Sequence, residues 1–126
     1  MIVIYNRNTE SHSKDPNNYV CYRPSILSNP YTHIKDRQTL ASYVVESREK
    51  AIEAYDHYFD VMYSGNKEFK ATVDEIYTKY KNGETIYLEC CCKPLACHCD
   101  VIKKKLEKRA IKDLLKCQKE TKVNTI

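Results

Sequence analysis

Leu88-Glu89-Cys90-Cys91-Cys92-Lys93-Pro94-Leu95-Ala96-Cys97-His98-Cys99-Asp100-Val101-Ile102 is the stretch in which the chain passes from strand chemistry to helix chemistry. Upstream of it, Thr85-Ile86-Tyr87-Leu88 follows Gly83 as a short apolar run, which predicts a largely buried strand over 85–92. Pro94 closes that strand, because proline has no N–H for a ladder and restricts the residue before it. From about Ala96, Val101, Ile102, Leu106, Ala110 and Leu114 recur at helical spacing, so a helix runs to about Cys117 with those residues inward.

Working outward, Ile2-Val3-Ile4-Tyr5 is a short buried strand followed by the breaker Asn6-Arg7-Asn8. Residues 8–18 are polar, with Pro16-Asn17-Asn18 as a turn, and read as an exposed loop. Ser47 is a fit N-cap for a helix on which Ile52, Tyr55, Phe59 and Met62 share a face. Ser64-Gly65-Asn66 ends that helix. Phe69, Val73, Ile76, Tyr77 and Tyr80 mark a second one that stops before Asn82-Gly83. Strand, helices, strand, helix is an α/β order, whose default is parallel strands joined by right-handed crossovers. The expected fold is a small three-layer, Rossmann-like α/β domain with a short, mainly parallel sheet and a long C-terminal helix. Residues 1–120 form the single domain, and 121–126 a frayed end.

The 126 residues are 42% hydrophobic and 30% charged, the balance of an ordinary globular chain. No apolar run approaches the roughly 20 residues that span a bilayer, and the first five residues lack the basic and apolar regions of a signal peptide. A cytoplasmic protein with no membrane partner follows as the expectation. Seven cysteines is an odd count, and three are consecutive, an arrangement ill suited to a disulfide framework. Residues 103–122 carry nine Lys or Arg against three acids, leaving a net −2 on the rest of a chain whose total is +4. This basic helix is either a solvated face or a contact for nucleic acid.

Tyr19-Val20-Cys21-Tyr22 has strand chemistry and leads into Arg23-Pro24-Ser25-Ile26-Leu27-Ser28-Asn29-Pro30-Tyr31. Two prolines stiffen this loop, which presents Arg23, Ser25 and Asn29, a guanidinium, a hydroxyl and an amide suited to an oxyanion. Open α/β sheets place ligands beyond the carboxyl ends of their strands, and residues 92–99 lie there. A helix N-terminus at that point favours a phosphate, carboxylate or thiolate. Cys97 and Cys99 feel the same field, and His98 and Asp100 are acid/base candidates. Asp100 equally suits a plain capping role. With only Gly65 and Gly83 in the chain, no glycine-rich phosphate loop exists. His12, His33 and His57 are isolated and read as surface or helix-edge residues.

Zinc is a rival use of the same stretch. Cys90 and Cys92 share a strand face, and Cys97 with His98 would complete a tetrahedron, although these spacings differ from those of zinc ribbons and fingers. Otherwise Cys90 and Cys92 are small buried strand residues and no cofactor is needed.

Two blocks, R-P-S-x-x-x-N-P and L-x-C-x-C-x-P-x-x-C-H-x-D, make the chain resemble a family of small phage and bacterial domains known as domain of unknown function 4326. Arg23, Pro24, Ser25, Asn29 and Pro30 match the first, and Leu88, Cys90, Cys92, Pro94, Cys97, His98 and Asp100 the second. Arg48, Ala51, Ile52 and Tyr55 are also similar. The resemblance spans roughly 19 to 109. Ser28 and Cys99 stand where the family carries glycines, and Cys91 where an aromatic is common, so Cys91 and Cys99 read as local substitutions. The resemblance implies that both blocks serve one site and that the chain is of phage or mobile-element origin, acting in the host cytoplasm.

The expected function is binding of an anionic, nucleotide-type ligand by Arg23, Ser25, Asn29 and the backbone at Cys97, His98 and Cys99. Hydrolysis or group transfer would use His98, Asp100 and Cys97. The alternatives are an anti-defence binder that sequesters a signalling nucleotide or blocks a host protein, and a zinc-stabilised nucleic-acid module. The oligomeric state is left open.

Overall fold

The computed structural model describes residues 1–9, 12–32, 43–93 and 95–124, with side chains up to 117. Three strands form a parallel sheet in the order β1 (Ile2–Asn6), β5 (Ile86–Cys90), β2 (Asn18–Val20). β5 therefore lies in the middle, with Ile4 beside Leu88 on one flank and Tyr19 beside Leu88 on the other. A second pair, β3 (Tyr31–Thr32) and β4 (Tyr43–Val44), is also parallel. The expected strand at 85–92 is shorter because the ladder ends at Cys90, where Arg7 N–H donates to its carbonyl.

The helices begin and end where side chains satisfy free backbone groups. Ser47 accepts Lys50 N–H at the start of α1 (Arg48–Gly65), and Asn66 ends that helix while accepting Phe69 N–H to start α2 (Lys67–Lys81). Asn82 caps α2, and Gly83 follows at φ +85°, a conformation that L side chains rarely adopt. α3 (Cys99–Asn124) starts three residues later than expected. Cys97 N–H donates to the Asp100 carboxylate, and Val101 N–H to the His98 carbonyl, so residues 97–98 are the entry to the helix rather than its first turn. α3 is helical through Asn124, and residues 125 and 126 of the expected loose end lie outside the described residues.

One core gathers all three helices. Tyr55 and Phe59 of α1, Phe69, Val73 and Ile76 of α2, and Val101, Ile102 and Leu106 of α3 pack with Ile2, Ile86, Leu88 and Cys90. Alternation sends Tyr5, Tyr87 and Glu89 to the opposite sheet face. The expected α/β class, parallel pairing and long C-terminal helix are all present. Leu114, however, is not inward: it is 59% exposed, with Ile111 and Leu115 similarly open. A helix of 26 residues is about 39 Å long at 1.5 Å per residue, and its core contacts reach only to Ala110. No helix among the described residues is long and apolar enough to cross a membrane.

Candidate functional site

The two sequence blocks meet at the carboxyl end of the sheet. His98 is buried, and its Nε2 lies 2.8 Å from the Cys21 carbonyl. Its edge meets the Tyr55 ring at 4.8 Å, and Tyr55 donates its own hydroxyl to Leu27 O. Burial pushes the His98 pKa below its ordinary value, so the neutral imidazole is favoured. The nitrogen facing Cys21 is then the protonated donor. His98 pins the 21–29 segment to the start of α3.

Within that segment the Arg23–Pro24 bond is cis. Arg23 Nη1 donates to Asn29 O at 2.8 Å and to Tyr31 O at 3.5 Å, while its other guanidinium nitrogens make no bond among the described residues. Asn29 is turned inward rather than presented. Its amide donates to Ala51 O and its carbonyl oxygen accepts Tyr31 N–H, so the side chain fastens the loop to α1. The Ser25 hydroxyl is buried and has no partner among the described residues. A buried hydroxyl without a partner is unusual, and its cost is commonly relieved by a ligand or water.

Four cysteines are buried, Cys21, Cys90, Cys97 and Cys99, with Cys92 half-buried and Cys91 and Cys117 exposed. Their sulfurs form a connected set. The thiols of Cys21, Cys90 and Cys97 all act on the titration of Cys99, and those of Cys92 and Cys99 on that of Cys97. Hydrogen bonds from Cys92 and Cys99, and then the Cys99 N–H, hold the Cys97 thiol far down and make it the favoured thiolate. Cys92 stays protonated because Cys97 takes its hydrogen bond, and the neighbouring thiols with burial keep Cys99 protonated. Cys90 is lowered to about 7, chiefly by the Cys99 thiol and then by the backbone N–H groups of Lys93 and Cys92. Cys99, which reads as a local substitution in the sequence, is thus at the centre of the set.

This arrangement does not fit the expected zinc ligands. No group of three or more His, Cys, Asp or Glu among the described residues is placed to hold a metal ion, and His98 Nε2 is already bound to the Cys21 carbonyl. Asp100 is likewise engaged, its carboxylate accepting Cys97 N–H at 3.1 Å, which is the capping alternative. Pro94 and His33 lie outside the described residues.

On the other sheet face is a carboxylate absent from the sequence expectations. Glu89, only 7% exposed, accepts hydrogen bonds from Tyr5 and Asn18 at Oε1 and from Tyr22 at Oε2. Burial alone would raise its pKa, but these three donors and Arg7 hold it below the ordinary value. Burial and the bond to Glu89 push the Tyr5 hydroxyl up to about 12. His12 is not isolated: its ring stacks on Tyr87 at 4.0 Å. A charged residue inside a strand that otherwise reads as buried was the available signal for Glu89. Its partners lie 67 to 84 positions away and carry no local mark. Of the basic helix, Lys105 is bound by Asp56 and Asp60, and Arg109 by Asp74.

The fold and the joined blocks define a small parallel α/β domain with a thiol-lined strand-to-helix turn. The model of the family described as "Domain of unknown function (DUF4326)" matches residues 4–108, and the chain belongs to that family. Neither a curated protein nor a solved structure matches it.

Proposed function

We propose that the chain binds an anionic, nucleotide-type ligand between the 23–30 loop and the start of α3. The observation that carries this reading is the buried, unpartnered Ser25 hydroxyl in the same loop as a guanidinium with unspent nitrogens, Arg23. A phosphate or carboxylate oxygen would satisfy both. Asn29 serves by holding the loop on α1, and the α3 N-terminus adds the positive end of a helix dipole.

Binding without turnover is the second reading, and a specific observation favours it. The acid/base candidates are occupied, His98 by the Cys21 carbonyl and Asp100 by the Cys97 N–H. With the phage origin that the family resemblance implies, such a protein would sequester a signalling nucleotide of the host.

Calorimetry against nucleotides, cyclic oligonucleotides and ADP-ribose derivatives tests the site, with Ser25→Ala as the informative variant. Removing an orphaned hydroxyl raises the melting temperature of the free protein while weakening ligand binding about tenfold. If no member of the panel binds, or Ser25→Ala binds as wild type does, the site is wrong. Ligand recovered unchanged after long incubation supports sequestration, whereas product formation lost in His98→Ala replaces it with catalysis.

A further inference from the structure

Away from that turn, α1, α2 and α3 enclose a groove of about 420 Å³ whose lining includes Phe59, Val73 and Leu106. These three are almost fully buried, so only their edges reach the groove, and the Lys105 ammonium lies 5.9 Å from the centre of the Phe59 ring. The volume falls in the range of roughly 300–1,000 Å³ typical of small-molecule pockets. Lys105 is held by both Asp56 and Asp60. Arg109 lies over the Tyr77 ring at 3.9 Å and spends Nη1 on Asp74 and the Tyr63 hydroxyl, leaving its other nitrogens unbonded among the described residues. Lys112, also on the rim, has no acid partner among the described residues.

We propose that this groove is a ligand site of its own, taking a small amphiphilic anion. The ligand's apolar body lies in the groove against the edges of Phe59, Val73 and Leu106, and its single carboxylate or phosphate meets Lys112 and the open edge of the Arg109 guanidinium. Apolar surface that the ligand brings out of water into the groove supplies the favourable free energy, and the cations fix its head group. One anionic group is the limit, because Asp60 stands on the same rim and Asp74 behind Arg109, and either repels a second charge. That limit separates the groove from a nucleic-acid surface, and the proposal is independent of the nucleotide reading above.

Octanoate and phenyl phosphate serve as carboxylate and phosphate probes, with octanol as the neutral control, in a titration followed by amide NMR. Saturable shifts confined to 59–64, 73 and 105–112 are expected with one or both anions. Lys112→Glu and Lys112→Ala, at an exposed position, should weaken binding at least tenfold and at least threefold, with the amide spectrum otherwise preserved. A carboxylate-only or phosphate-only response identifies which head group the site takes. The proposal is overturned if neither anion gives a saturable shift at millimolar concentration, if octanol binds as tightly as octanoate, or if both Lys112 variants keep wild-type affinity.

Discussion

His98 Nε2 and the Cys21 carbonyl oxygen lie 2.8 Å apart, joining residues 77 positions distant in the chain. The bond links the exit of β2 to the entry of α3, and both segments reach the candidate site. Replacing the ring by alanine leaves the Cys21 carbonyl without its donor and a gap beside Tyr55. His98→Ala should cost about 2–4 kcal/mol in urea unfolding.

The same residue sets a pH dependence. Its folded pKa lies below the ordinary 6.5 because burial disfavours the imidazolium. The unfolded chain therefore takes up the proton first, and the contribution of His98 is intact above about pH 6.5 and lost as pH falls toward the folded value. Unfolding free energy should fall between pH 7 and pH 5 by at most about 1.4 kcal/mol per pH unit for this single proton. In His98→Gln that part of the slope should vanish.

Glu89 acts in a lower window. Its folded pKa is also depressed, so its contribution is present above the ordinary 4.5 and is lost as pH falls through the folded value. Glu89→Gln keeps the shape of the side chain but replaces one acceptor oxygen by a donor facing Tyr5, Asn18 or Tyr22. A loss of about 2–3 kcal/mol is expected at pH 7 and little loss near pH 2, read by denaturant melts at both values.

Asp74 joins all three helices, accepting from Tyr63 of α1, Lys70 of α2 and Arg109 of α3. These bonds hold its carboxyl well below the usual range against the opposing effect of burial. Its side chain is 35% exposed, so screening limits the gain. Asp74→Asn should destabilise by about 1 kcal/mol, and a double-mutant cycle with Arg109→Ala should give a coupling of about 0.5–1 kcal/mol that shrinks in high salt.

Alkylation of the native protein should separate the thiols by burial. Cys91 and Cys117 are exposed and should react first, Cys92 more slowly, and Cys21, Cys90, Cys97 and Cys99 only on unfolding. Peptide mapping after a brief iodoacetamide pulse gives the order. Rapid labelling of Cys97 in the folded protein would show that its low-pKa thiolate is open to solvent.

The helices were legible in the sequence because their signals are local. Ser47, Asn66 and Asn82-Gly83 mark the boundaries through capping and turn chemistry within a few residues. The sheet order was not, since nothing in Ile2–Asn6 or Asn18–Val20 says that both will flank the same strand. Leu114 keeps the helical period of Leu106 yet faces solvent, because a period marks a face without saying how far its cover extends. At the site, the motifs drew attention to the residues around Cys21, Asn29 and His98. Their roles as fasteners emerge only from partners such as Ala51 O and Cys21 O, backbone atoms that carry no residue-type signature.

The central place of β5 has a consequence for synthesis. β1 and β2 do not pair with each other, and each finds its partner only in residues 86–90. A nascent chain must therefore carry Ile2–Asn6 and Asn18–Val20 without their sheet partner until the middle strand has left the ribosome. The α1–α2 hairpin, complete by Lys81, is available earlier. A ribosome halted before residue 86 would display two strand edges waiting for the one segment that closes them.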